Sequence, residues 1–153
     1  MKSFSARSID SLDEWTEVSL LFFDAESFRI RVKKWWHYPL WTALRIVLGR
    51  QPWHVVAVVG QTVYECDFAV GCRRFGLSDL DMIPARKLIV TIDGPPQLRD
   101  WAEGRRLQFG QTVLAVLGFR ATPINCCSCV SRLIGLLPEA FTTWDLIDRL
   151  ERI

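Results

Sequence analysis

Short runs of Val, Ile, Leu and Phe, closed by Gly, Pro or Asp, punctuate the chain and read as β-strands. They fall at about 18–23 (VSLLFF), 28–32, 54–59 (HVVAVV), 62–68 (TVYECDF), 87–92 (KLIVTI) and 112–119 (TVLAVLGF). Helices fit at about 40–49, 97–108, 126–137 and 143–152. The third follows Pro123, takes Asn125 as its N-cap and stops before Pro138. The fourth has Thr142 at the N-cap and Asp145 three residues on, a variant of the capping box. Strands cluster in the middle and helices at the ends, which predicts an α+β fold rather than a doubly wound parallel sheet.

Composition narrows this to one domain. The chain has 153 residues, 50% of them hydrophobic and 24% charged, which excludes a disordered or collagen-like chain. No internal repeat or long Gly/Ser linker divides it, so 1–153 is expected to be a single unit. Gly-rich phosphate loops are absent from the sequence, which argues against nucleotide binding by those routes. The N-terminus, MKSFSARSIDSLDEW, lacks an apolar h-region, so no signal peptide is expected. The longest apolar stretch, 35–49, is broken by His37, Pro39 and Arg45 and is too short to span a bilayer. No membrane span and a cytoplasmic site of synthesis are therefore expected.

Charge is unevenly placed. Residues 1–26 form an acidic N-terminal segment, with six acids against two bases. From Ser27 to Tyr64 there is no acid, while six bases and Trp35, Trp36, Trp41 and Trp53 accumulate. Trp and Arg commonly anchor interfaces, so Trp35, Trp36 and Trp41 offer a docking surface for an assembly partner. Equally, the tryptophans suit a core and the bases a solvated face. Nucleic acid is not an expected partner: net charge is only +2, and no nucleic-acid motif is present.

Candidate chemistry begins at His54. Gly60-Gln61 makes a two-residue turn that sets Val59 against Thr62, and counting back places His54 opposite Asp67. Glu65 lies on the same face, and Cys66 points to the other. A carboxylate beside a strand-borne imidazole fixes its tautomer and makes it a better base. The pattern also suits a structural histidine with Glu65 and Asp67 solvated.

The second candidate is Cys126. It occupies the first turn of a helix, where unpaired N–H groups and the helix dipole favour a thiolate. Val130, Leu133 and Leu137 continue its stripe. Cys127 and Cys129 read as small buried hydrophobes. Cys126 and Cys129 also make a Cys-x-x-Cys, whose partners in a zinc site would have to be Cys66 and Cys72. Those two lack that spacing, so neither a metal nor another cofactor is expected. Five cysteines, three of them crowded at 126–129, point to a reducing compartment without structural disulfides.

A histidine at a strand start, a carboxylate on the next strand and Asn-Cys opening a late helix together resemble the circularly permuted papain-like hydrolases. These include NlpC-type peptidases and lecithin:retinol acyltransferase-like proteins. WHVVAVV resembles their histidine strand, NCCSCVSRLIGL their cysteine helix, and TTWDLIDRL a closing helix of small, often phage-encoded members. The resemblance covers residues 53–150 best and the first fifty loosely. It implies an antiparallel sheet or partial barrel packed against a late cysteine-bearing helix. It further implies Cys126 as nucleophile, His54 as general base and Glu65 as the group orienting the imidazole. The expected function is a thiol peptidase or amidase that cleaves an amide bond in peptidoglycan or protein, with a phage particle such as a tail as one expected setting. The alternative is a virion assembly protein that keeps the fold without the chemistry.

Overall fold

The computed structural model describes residues 15–28, 38–39, 42–43, 46, 51–67, 71–94, 125–140 and 142–153. Among these, five strands make one antiparallel sheet: β1 (Trp15–Phe23), β2 (His54–Val59), β3 (Thr62–Asp67), β4 (Gly71–Gly76) and β5 (Arg86–Asp93). Their order across the sheet is β4-β3-β2-β1-β5. One helical turn, α1 (Ala25–Phe28), follows β1, and two late helices, α2 (Cys126–Leu133) and α3 (Thr143–Arg152), complete the α+β architecture.

The sheet is covered on both faces, which explains why β2, at its centre, is apolar without alternation. One face carries Val18, Leu20, Phe22, Val55, Ala57 and Cys66 against Val130 and Leu133 of α2 and Leu146 of α3. The other carries Leu21, Phe23, Val56, Val58 and Val63, closed over by Met82, Leu77 and Leu80 from the segment between β4 and β5. At the outer edge, β5 alternates: Leu88, Val90 and Ile92 pack inward, while Ile89 is exposed.

The hairpin register is the expected one. Val59 pairs with Thr62, Val58 with Val63 and Ala57 with Tyr64, around Gly60 at φ +58°. A left-handed residue at that position is what a tight two-residue connection requires. Cys66 faces away from Val56 and Val58, as that register demands.

Four expectations need correction. β1 begins three residues earlier, at Trp15, because its pairing with β5 continues out to Asp93. Phe28 ends the α1 turn rather than opening a strand, and 29–32 lies outside the described residues. Strand β4, GCRRFG, is not among the expected strands, since adjacent arginines and flanking glycines hide its pattern. Helix α2 stops at Leu133 instead of 137. There Gly135 takes φ +73°, its N–H donates to the Arg132 carbonyl (3.2 Å), and the Leu136 N–H donates to the Ser131 carbonyl (2.8 Å). This Schellman closure ends the helix a turn before Pro138.

Helix α3 spans the expected residues, with Thr142 Oγ1 accepting from the Asp145 N–H at 3.1 Å. The expected strand at 112–119, the helix at 97–108, and Trp35, Trp36 and Trp41 lie outside the described residues. Of the expected helix at 40–49, Thr42, Ala43 and Ile46 are described and are helical. No helix among the described residues is long and apolar enough to cross a membrane.

Candidate active site

His54 is the first residue of β2, and two flanking elements fix its position. Across the ladder it pairs with Phe23 of β1, and the preceding Trp53 N–H donates to the Phe23 carbonyl at 3.0 Å. The Phe23 and Trp53 rings lie 6.1 and 6.4 Å from the imidazole, centre to centre. Behind the strand start, the Thr143 hydroxyl at the head of α3 donates to the Pro52 carbonyl. The ring is therefore held in a buried aromatic frame.

Glu65, on β3, meets the imidazole at 3.0 Å between Oε1 and Nε2. Its side chain is fully buried, a costly place for a carboxylate unless the charge is compensated. Arg73 supplies that compensation: Nε and Nη2 donate to Oε2 at 3.0 and 2.8 Å. Glu65 and Arg73 are direct partners in the β3–β4 ladder, and the Arg73 guanidinium also lies 4.6 Å over the Phe75 ring. Sequence reading missed Arg73 because it missed β4. The available signal was a basic residue close in sequence to an acid whose burial was already in question. Asp67, the other carboxylate considered, is buried at the end of β3.

Cys126 enters from the opposite element. Asn125 caps α2 as expected: its Oδ1 accepts from the Ser128 N–H at 2.8 Å, and the Asn125 N–H donates to Ser128 Oγ at 3.0 Å. This reciprocal cap pins the first turn, and α2 packs on β2 and β3 with its N-terminus at the strand start. Cys126 there shares a hydrogen bond with His54 and lies beside the backbone of Val55. The structure thus brings together all three residues singled out from sequence, with the imidazole between thiol and carboxylate.

The electrostatics follow from that placement. A hydrogen bond from the neighbouring Cys127 thiol, 3.9 Å away, does most to hold Cys126 well below the ordinary thiol range. Burial acts the other way, and the His54 hydrogen bond, its charge and the Val55 backbone add to the lowering. Cys127 is pushed up correspondingly, mainly by Cys126 and then by burial. For His54, burial alone would lower the pKa, but hydrogen bonds to Cys126 and Glu65 overcome it and push the value up to about 9. A thiolate beside an imidazolium is the state these shifts favour.

The remaining thiols divide differently from the Cys-x-x-Cys pairing considered from sequence. Cys129 turns away from Cys126 and joins Cys66 and Cys72, with its sulfur 3.4 Å from that of Cys72. None of the five cysteines is in a disulfide.

Compared with family models, curated proteins and solved structures, the chain matches none.

Proposed function

We propose that the protein is a thiol hydrolase of papain-like, circularly permuted type, acting on an amide or ester carbonyl. The observation that carries this reading is the imidazole of His54 held between the Cys126 thiol and the Glu65 carboxylate. The Cys126 thiolate attacks the carbonyl carbon, forming a C–S bond and an oxyanion. The Cys126 N–H, in the first turn of α2, donates to that oxyanion. The His54 imidazolium then protonates the leaving amine or alcohol, and an acyl thioester remains. Water, deprotonated by His54, releases the acid and restores the thiolate. Peptide crosslinks of peptidoglycan and protein amides are the proposed substrate class.

The test uses an activated ester, p-nitrophenyl acetate, and crosslinked peptidoglycan stem peptides. The expected result is acylation of one thiol per chain, located at Cys126 by mass spectrometry and absent in Cys126→Ala. His54→Ala should slow turnover by about 100-fold or more. Acylation of another cysteine, or turnover retained in a folded Cys126→Ala, would overturn the proposal.

A further inference from the structure

Three thiols outside the catalytic trio meet where α2 crosses β3 and β4. Cys66 and Cys72 are direct partners in the β3–β4 ladder, and Cys129 comes down onto them from α2. Cys66 and Cys72 are buried and Cys129 is half-buried. Their three sulfurs lie within 4.8 Å of one another, with Cys72 and Cys129 at 3.4 Å. Sulfurs ligating one zinc ion at ~2.3 Å stand roughly 3.8 Å apart, a spacing that this cluster brackets.

We propose that Cys66, Cys72 and Cys129 form a binding site for one thiophilic metal ion, Zn²⁺ or Cu⁺. An all-sulfur donor set selects such ions and rejects Mg²⁺ and Ca²⁺, which take oxygen. Two ligands come from the neighbouring strands β3 and β4 and the third from α2, far along the chain, so the bound ion ties both strands to the helix that begins with Cys126. Binding moves no electrons. Each thiol that ligates gives its proton to solvent, and up to three are released per ion. The site stands apart from the hydrolase reading, since neither Cys126 nor His54 is a ligand.

The test takes the full chain, fully reduced and anaerobic, and titrates it separately with Zn²⁺, with Co²⁺ as a coloured stand-in for zinc, and with Cu⁺. The expected result is uptake of one equivalent, with thiolate-to-cobalt charge-transfer absorption that Zn²⁺ abolishes, or tighter uptake of Cu⁺ if copper is the native ion. Cys72→Ser and Cys129→Ser should weaken uptake by more than about 100-fold. The double variant Cys126→Ser/Cys127→Ser should keep one equivalent. In the unaltered protein, bound metal should protect Cys66, Cys72 and Cys129 from alkylation while leaving Cys126 reactive, a readout independent of how the variants fold. Failure of the reduced protein to take up either metal would overturn the site. So would uptake that survives Cys72→Ser but is lost in Cys126→Ser/Cys127→Ser. Because hydrolysis is not the readout, failure here leaves the reading of Cys126 and His54 intact.

Discussion

Arg73 grips Glu65 at two points, Nε at 3.0 Å and Nη2 at 2.8 Å from the same carboxylate oxygen, Oε2. The other oxygen is thereby turned to His54. A fully buried carboxylate is tolerable here because a guanidinium shares its charge, and this ties an edge strand to the candidate chemistry. Arg73→Ala should therefore cost about 1–3 kcal/mol. The low end is expected, because the Arg73 side chain is 41% exposed and water replaces part of the contact. A urea unfolding midpoint equal to that of the unaltered protein would contradict this.

Glu65→Gln keeps the shape at the imidazole and removes the charge. Both the hydrogen bond and the charge of Glu65 raise His54, so the substitution should lower its pKa from about 9 by about one to two units. An NMR titration of the His54 ring protons reads this directly. An unmoved titration would show that Glu65 does not tune the imidazole.

The pH dependence of stability follows from two opposed contributions. His54 is raised in the folded protein, so its contribution is whole below about 6.5 and lost as pH rises through about 9. Cys126 is depressed, so its contribution is whole above the ordinary thiol value of 9.0 and lost as pH falls toward its folded value. Immediately below about pH 9 the two slopes cancel. Urea midpoints of the unaltered protein, less those of a His54→Phe/Cys126→Ala variant, should stay level over about the first pH unit below 9. A difference that changes steeply over that range would contradict the ion pair.

The end of α2 depends on a left-handed residue. Gly135 has φ +73°, and a Cβ added there would meet nothing within 4 Å, so the whole penalty is conformational. Gly135→Ala should cost about 1–2 kcal/mol, measured by thermal or urea unfolding. No loss of stability would mean that the Schellman closure is dispensable.

The sequence made β2, β3 and their register legible because a two-residue turn leaves one pairing that keeps Val55, Val56, Val58 and Val63 buried. Asn125 and Thr142 marked two helix starts for a similarly local reason: a cap needs only a side-chain oxygen and an N–H three residues on. Strand β4 was hidden, since Arg73 and Arg74 follow each other and their contacts lie across the sheet instead of along the chain. The grouping of Cys129 with Cys66 and Cys72 was illegible too. Spacing favoured Cys126 with Cys129, and only the packing of α2 over the hairpin separates them.

The central claim is that Cys126 is a thiolate held by His54. Alkylation of the native protein by iodoacetamide against pH, with each cysteine read by mass spectrometry, tests it most directly. Cys126 should react fast well below pH ~8.5, and the advantage should shrink in His54→Ala, leaving the part that Cys127 supplies. Uniformly slow labelling of all five cysteines, unchanged by His54→Ala, would contradict the account.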